Sequence, residues 1–241
     1  MGSVIGQDSF LDSLLFAFDS LNINSFDFAN SSYRELISGA YATPGGTILT
    51  TGSGLSYAYS SNVGSASGST YLSWSSTIMP DFTSYTFEAW IKPQFSTTGQ
   101  KTIWSRYTTT GATRGLIIGI SPNGAASNPN TFYINQGTGA ATTQQYSNTI
   151  TWSQNGWQQI AISLSSSDNI AYFYLNGSGV GTRQVTSTLS FIASNIRIGV
   201  TANVATFGYD GGIGSVKVWN RKFTDAEILF LYNSSRKRYG L

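Results

Sequence analysis

The sequence predicts an all-β fold, an antiparallel sandwich of two sheets with one short helix near the C-terminus. Three observations support this prediction: apolar side chains alternate with a period of two in many short segments, turn residues separate those segments, and one helix-start signature follows the last segment. The chain has 241 residues, of which 40% are hydrophobic and 14% aromatic. This composition is sufficient for one large domain with a sizeable core.

The strand prediction rests on side chains that alternate between two faces. Tyr85, Phe87, Ala89 and Ile91 fall on one face of a single segment, as expected for a strand that buries one side. The same period recurs in residues 160–164, 171–175, 196–200 and 216–218. Asn176-Gly177 is a strong signal for a two-residue hairpin, because both residue types tolerate positive φ. Many short strands spaced by turns predict a sandwich, and no boundary divides the chain into two domains.

The predicted helix begins after Thr224, where three local signals agree. Thr224 is the N-cap, Glu227 completes a capping box, and Phe223 can pack against Ile228 as a hydrophobic staple. Apolar residues then follow Ile228 at the i+3 and i+4 positions, which places them on one face of the helix. We therefore expect a short helix that docks on the sandwich.

The composition excludes several classes of site. The chain has no cysteine and no histidine. Disulfides, zinc sites built from Cys and His, and Cys–His or Ser–His–Asp catalysis are therefore impossible. The aspartates are scattered singly and form no calcium-loop pattern. We expect no metal ion and no cofactor.

The net charge of +2 comes from the end of the chain. Arg236, Lys237 and Arg238 form one basic run, and the remaining ten basic residues stand against 11 acidic ones, a balance of −1. A basic surface for nucleic acid is therefore not expected. Because no apolar run approaches the ~20 residues of a membrane span, membrane insertion is not expected either. The predicted layout is an N-terminal arm (1–12), one domain (13–233) and a basic tail (234–241).

Glycoside hydrolysis is the enzymatic hypothesis that a β-sandwich suggests, and it requires two carboxylates that face one cleft. Glu88 lies on the strand face opposite the predicted core, and Asp81 or Asp210 are the partners that the sequence offers. No closely spaced acidic pair occurs on any predicted strand. The chain is therefore expected not to be an enzyme.

Carbohydrate binding fits the composition better, because aromatic faces and amide groups are abundant. The candidate glycan-binding residues are loop aromatics and their polar neighbours: Tyr146, Asn148, Trp152, Asn155, Tyr209 and Asp210. The alternative is that aromatic residues pack between the two sheets. That alternative applies most directly to those with strand periodicity, namely Phe87, Trp90, Trp157 and Phe173.

Several segments together resemble the concanavalin A-like, laminin G-like jelly-roll superfamily. The similar segments are SLLFAFDS (13–20), YREL (33–36), YLSW (71–74), YTFEAWIKP (85–93), NGWQQIAIS (155–163), YFYLNGSGVG (172–181), NIRIG (195–199) and FGYDGGIGSVKVWNRKFTDAEILFLYN (207–233). The resemblance implies a two-sheet jelly roll. One departure is Gly214, which stands where the family often has an acidic residue. A metal or ligand role at that position is therefore not carried over.

The last residues resemble a narrower group. The ending Arg238-Tyr239-Gly240-Leu241 is similar to the termini of single-domain virion proteins of tailed phages, especially marine and cyanobacterial ones. The resemblance implies a structural or accessory virion protein, on a capsid or a tail appendage, that assembles in the cytoplasm of the bacterial host. Its expected partners are other virion proteins, further copies of itself and, weakly, a host-surface glycan. A bacterial glycan-binding module or adhesin is the alternative, and a glycoside hydrolase is less favoured.

Attachment to a particle requires exposed contact residues at the chain ends. The predicted anchoring residues are the apolar side chains of the arm and the basic run: Val4, Ile5, Phe10, Leu11, Arg236, Lys237 and Arg238. The arm is predicted to make contact because it lies outside the first strand, and the basic run because it can pair with acidic neighbours.

Overall fold

A computed structural model describes residues 8–20, 22–27, 32–45, 49–50, 58–60, 71–94, 99–108, 114–122, 125, 128–139, 142–185, 189–191, 193–201, 207–209 and 211–241. The first sheet contains β1 (Leu14–Asp19), β5 (Leu49–Thr50), β6 (Ala58–Ser60), β8 (Tyr85–Pro93), β13 (Gln158–Ser165), β14 (Ile170–Leu175), β15 (Ser178–Gln184) and β17 (Gly211–Trp219). The second contains β4 (Thr43–Gly45), β7 (Tyr71–Trp74), β9 (Lys101–Thr108), β10 (Arg114–Ser121), β11 (Thr131–Thr138), β12 (Thr142–Tyr146) and β16 (Ile196–Ile198).

Smaller elements complete the described part of the chain. Strands β2 (Phe26–Asp27) and β3 (Ser32–Tyr33) pair with each other. The helices are α1 (Asp8–Leu11) and α2 (Asp225–Ser235), and 3₁₀ turns occur at Ile23–Ser25, Ser76–Ile78 and Arg236–Tyr239. None of these helices has the length and apolarity that a membrane span requires.

Both sheets are antiparallel, which confirms the predicted two-sheet sandwich with a short C-terminal helix. The first sheet has the order β15-β14-β13-β8-β17-β6-β5, and β1 also pairs with β17. The second has the order β12-β11-β10-β9-β16-β7-β4. The predicted hairpin joins β14 to β15, with Asn176 at φ 50° and Gly177 at φ 77°.

The main core lies between the two sheets. Strand β8 contributes Tyr85, Phe87, Ala89 and Ile91 to this core, as the period of two predicts. All four side chains are fully buried. Fully burying a large apolar side chain is worth roughly 1.5–3 kcal/mol, so this layer is the main source of stability.

The opposite face of β8 is also buried, because the C-terminal segment (residues 225–241) packs on it. Ile228 and Leu231 of α2 join Trp219 and Phe223 in a second apolar cluster outside the first sheet. The capping box is present: the Glu227 amide donates to Thr224 Oγ1 at 3.3 Å, and the Thr224 amide donates to Glu227 Oε2 at 2.8 Å. The predicted helix and its docking are both confirmed.

Residues 234–241, predicted as a basic tail, instead belong to this packed segment. Tyr239 is buried and stacks on Trp90, with ring centroids 4.2 Å apart. Arg238 donates two hydrogen bonds to the Asp19 carboxylate, at 2.8 and 3.1 Å. Arg236 and Lys237 are exposed. Trp90 therefore packs against the chain end and not between the sheets, because β8 has a buried layer on each side.

The arm prediction is wrong for Phe10. Phe10 is buried and meets the Phe223 ring edge-on at a centroid distance of 5.1 Å. Its carbonyl oxygen accepts a hydrogen bond of 2.9 Å from the Trp219 indole. An aromatic side chain next to an apolar cluster gains more free energy by joining it than by remaining in water. Leu11 is exposed as predicted, whereas Val4 and Ile5 lie outside the described residues.

Gly214 has a structural explanation. A Cβ at this position would lie 2.6 Å from the Tyr239 ring and 3.1 Å from the Trp157 ring. Any side chain here, including the acidic one that the resemblance leads us to expect, would displace the buried tyrosine. We predict that Gly214→Ala lowers the free energy of unfolding by about 1–3 kcal/mol, as overpacking does. Urea denaturation of wild type and variant measures this loss.

The control for this prediction is a double-mutant cycle with Tyr239→Ala. If the added methyl group acts through the tyrosine ring, Gly214→Ala costs less in the Tyr239→Ala background, with a coupling energy of about 1 kcal/mol. Strictly additive effects would contradict the explanation.

The pKa of Glu227 makes the docking of α2 depend on pH. Burial raises the pKa of this carboxyl group, but hydrogen bonds from Arg221 and Thr224 lower it by more than burial raises it. The pKa therefore lies below its ordinary value of 4.5. The Arg221 guanidinium lies 2.7 Å from Glu227 Oε1. Because the folded-state pKa is depressed, the contribution to stability is complete above pH 4.5 and is lost as the pH falls through the folded-state value.

We therefore predict that Glu227→Gln flattens the fall in stability below pH 4.5. Glutamine preserves the capping box but not the charge, so the variant separates the ion pair from the cap. Thermal unfolding measured in steps of pH tests this expectation. Parallel pH profiles for wild type and variant would show that other carboxylates govern the acid response.

Candidate functional site

An open depression of about 420 Å³ lies at the outer edge of the first sheet. It forms where the terminal strand β15 and its neighbour β14 meet the start of α2. The residues that line it are Asn148, Tyr172, Phe173, Tyr174, Gly179, Gly181, Thr182, Arg183 and Asp225. Aromatic rings, amide and hydroxyl groups and two opposite charges thus share one concave surface.

The shape of the depression follows from the two glycines of β15. The register shifts between the pairs Tyr172–Thr182 and Tyr174–Gly179, so β15 bulges away from β14 at this point. Gly181 has φ 130°, and a Cβ there would lie 2.9 Å from Asn148 Oδ1. Gly181 therefore allows Asn148 to approach the strand. A Cβ at Gly179 would meet no atom within 4 Å, which keeps the centre of the depression open.

The Arg183 guanidinium is held in place by three acceptors. Its Nη1 donates to the Thr182 carbonyl at 2.7 Å. Its Nη2 donates to Asn148 Oδ1 at 3.0 Å and to the Ser147 carbonyl at 3.4 Å. These contacts fix the planar group without neutralising its charge, so part of its fork of five donors remains for a ligand.

Asp225 supplies the acceptor on the other side of the depression. Its Oδ1 accepts a hydrogen bond of 2.8 Å from the Tyr174 hydroxyl. Burial, followed by the Asp225 carboxylate, raises the pKa of Tyr174 far above its ordinary value, so the phenol remains a donor. As the first residue of α2, Asp225 also lies where the helix dipole favours a negative charge.

Tyr172 places a half-buried aromatic ring in the lining. The Lys222 ammonium lies 3.9 Å from the centre of this ring and 2.8 Å from Asp168 Oδ2. The hydrogen bond from Lys222 lowers the pKa of Asp168, so this carboxylate stays ionised and neutralises the lysine. The cation thus contacts Tyr172 without adding net charge to the site.

Among the described members of the predicted glycan-binding set, Asn148 is the one that lines the depression. Tyr146 lies on the outer face of the second sheet, beside Tyr133, and its hydroxyl accepts a hydrogen bond of 2.9 Å from Gln100. Asn155 is exposed in a turn and accepts a hydrogen bond from Gln94 at 2.8 Å. The predicted set is therefore spread over the molecule. Asp210 lies outside the described residues.

The predicted exposure of two loop aromatics is wrong. Trp152 and Tyr209 are both buried in the main core, where Trp152 packs against Phe132 at a centroid distance of 6.3 Å. Both belong to loops by sequence, but their rings turn inward, because large aromatic surfaces gain free energy when they leave water. Trp152 and Tyr146 consequently lie on opposite sides of the second sheet.

The sequence-based selection missed Tyr172, Tyr174, Arg183 and Asp225. The alternation in residues 171–175 contained a usable signal, because Ala171 and Phe173 face the core and their neighbours must then face outward. No pattern in the sequence indicates that Arg183 and Asp225 belong to the same site. They are brought to the same place only by the hairpin and by the docking of α2.

The hydrolase hypothesis conflicts with the position of Glu88. Glu88 is only 1% exposed to solvent, because the C-terminal segment covers this face of the sheet. One carboxylate oxygen accepts a hydrogen bond of 2.6 Å from Gln159, and the other lies 3.5 Å from the Lys217 ammonium. Asp81 is paired with Arg106 at 2.7 Å. Among the described residues, no group of three or more His, Cys, Asp or Glu comes together as metal ligands do.

Comparison with known families decides the classification. A model of the concanavalin A-like lectin/glucanases superfamily matches residues 66–229, which is more than half of the chain. The chain belongs to this superfamily. The family assignment confirms the resemblance to the concanavalin A-like superfamily and fits the two-sheet architecture. No curated protein sequence matches this member of the superfamily.

Solved structures with the same fold include several of botulinum neurotoxins, two of them described as binding domains. One, of type C and described by its interaction with two ganglioside molecules, has a TM-score of 0.66 at 12% identity and covers 95% of this chain. Another, of type DC in complex with SialylT, has a TM-score of 0.63 at 14% identity and covers 92% of this chain. A third, of type DC with rat synaptotagmin II, has a TM-score of 0.65 at 14% identity and covers 92%.

At these identities the likeness shows the fold alone. The chain also spans only about half of each neurotoxin structure, 53% in the first case and 52% in the other two. What this chain shares with these structures is the two-sheet sandwich fold.

Proposed function

We propose that this protein is a non-enzymatic carbohydrate-binding protein, which recognises a host-surface glycan through the depression at β14 and β15. The observation that carries the proposal is the lining itself, with Tyr172 and Tyr174 beside the donor Arg183 and the acceptor Asp225. Small-ligand sites combine apolar or aromatic surface with a few polar groups that fix orientation, and this lining has both.

The chemistry of sugars suits such a lining. A pyranose ring has apolar C–H faces that pack on tyrosine rings, and it has hydroxyl groups that both donate and accept hydrogen bonds. Arg183 is fixed by its backbone and Asn148 contacts, and Asp225 by Tyr174, so little side-chain order is lost when a ligand binds. The ganglioside and SialylT interactions of the similar neurotoxin domains support a carbohydrate over another class of ligand.

We further propose that the protein works as a structural or accessory component of a phage virion. The likeness of the last ten residues, 232–241, to the termini of single-domain virion proteins supports this setting. The openness of the depression also favours it, because a shallow site binds weakly and many copies on a particle raise the effective affinity. Other virion proteins and further copies of this chain are the proposed partners, and a bacterial adhesin is the alternative.

The anchoring hypothesis changes with the structure. Leu11 remains a proposed contact residue at 62% exposure, together with the exposed Arg236 and Lys237. Arg238 and Phe10 are removed from the proposal, because their side chains bind within the domain. Val4 and Ile5 stay in the proposal as predicted contact residues. A deletion of residues 1–7 removes both of them and leaves Phe10 in place, so it tests the contribution of the arm.

The glycan proposal predicts that filling the depression abolishes binding. Gly179 pairs with Tyr174, so a side chain at this position shares the outward face of that ring. We expect Gly179→Leu to weaken binding to any glycan found on an array by about tenfold or more, which is ~1.4 kcal/mol. Glycan arrays followed by calorimetry measure the change.

The matched control is Gly99→Leu. A Cβ at Gly99 also meets no atom within 4 Å, and this glycine lies in an exposed turn that does not line the depression. The control is expected to bind as wild type does, with the same melting temperature. If both variants bind like wild type, the sugar binds elsewhere. If wild type binds no glycan, the proposal fails.

The virion proposal predicts that the chain occurs in purified particles in a fixed number of copies. Quantitative mass spectrometry of density-purified phage measures this ratio. The variant without residues 1–7 should remain folded and should be depleted from particles if the arm anchors it. The absence of the full-length chain from particles would support the adhesin alternative.

A further inference from the structure

The depression contains one positive and one negative group, and neither is neutralised inside the protein. Arg183 donates only to uncharged acceptors, namely two carbonyl groups and an amide. Asp225 accepts from the uncharged Tyr174 hydroxyl. Within the described part of the chain, neither group takes part in an ion pair, although each lines the same open surface.

The other charges near the site cancel. Lys222, which contacts the Tyr172 ring, is bound to Asp168 at 2.8 Å. The depression as a whole therefore has a donor end with charge +1, an acceptor end with charge −1 and no net charge. A ligand gains most when one of its groups accepts a hydrogen bond from Arg183 while another donates one to Asp225.

We infer that the depression selects uncharged glycans and that Asp225 is the residue that excludes acidic ones. This inference rests on the proposed carbohydrate function and adds the class of sugar. Hydroxyl groups of a neutral sugar can accept from Arg183 and donate to Asp225, because each hydroxyl is both acceptor and donor. The carboxylate of a sialic or uronic acid gains a contact with Arg183 but is repelled by Asp225 across a small depression.

The exclusion is effective because Asp225 cannot move away from the ligand without losing its own contacts. Its carboxylate is tied to Tyr174, and Tyr174 is buried. Its position in the first turn of α2 is fixed by the capping box at Thr224. The acceptor end is therefore preorganised, and the selectivity follows from charge and not from the size of the depression.

The test compares matched pairs of oligosaccharides that share one core and differ only by a terminal sialic or uronic acid. We expect wild type to bind the neutral member about tenfold or more tightly than the acidic member. Asp225→Asn removes the charge and keeps an oxygen that accepts from Tyr174. This variant should bind both members with affinities within about threefold of each other, a difference of well under 1 kcal/mol on the same scale.

The matched control is Asp12→Asn, which removes one exposed carboxylate outside the depression. Asp12→Asn changes the overall net charge of the protein by the same amount as Asp225→Asn but leaves the depression unaltered. The control should therefore retain the wild-type preference. Thermal melting confirms that each variant is folded.

The outcomes separate the two proposals. Wild-type preference for the acidic member, or an unchanged preference in Asp225→Asn, overturns the charge inference and leaves carbohydrate binding intact. Loss of the preference in Asp12→Asn also overturns it, because overall charge then explains the selectivity. Binding of neither member overturns the proposed function, and the charge inference with it.

Discussion

The first sheet is buried on both faces at its centre, and the rest of the structure depends on this constraint. Strand β8 turns Phe87 into the main core and Thr86 toward residues 221–223, which lead into α2, and both side chains are fully buried. Polar groups on the outer face must therefore find partners inside the protein. Thr86 Oγ1 accepts from the Phe223 amide at 2.9 Å and Ser163 Oγ accepts from the same amide at 2.8 Å, so these polar contacts attach the chain end to the sheet.

This double burial decides where a ligand can bind. The middle of the outer face is occupied by Tyr239 and α2, which removes Glu88 from contact with solvent. On the side of β14 and β15, the last two strands in this direction, the sheet becomes accessible again where α2 begins. The depression lies at this boundary, and its acceptor Asp225 belongs to the helix that covers the rest of the face.

The same arrangement links the stability of the fold to the proposed binding site. The capping box that starts α2 also fixes Asp225, and the hairpin at Asn176-Gly177 places Arg183 on the neighbouring strand. The superfamily fold thus provides the two-sheet sandwich, whereas the polar groups of the proposed site come from the hairpin and the capped helix of this chain. A shallow site with fixed donors and acceptors suits weak, repeated binding more than a single tight complex.

The sequence by itself determined the class of fold, the faces of β8, the hairpin and the capped helix, because each depends on residues close together in the chain. Only the tertiary structure decided that Phe10, Trp152 and Tyr209 are buried, since a loop position does not reveal which way a large ring turns. It also decided that Arg183 and Asp225 share one surface, because pairing across β14 and docking of α2 bring together residues 42 positions apart. Local patterns specify elements, whereas a site made from several elements requires their packing.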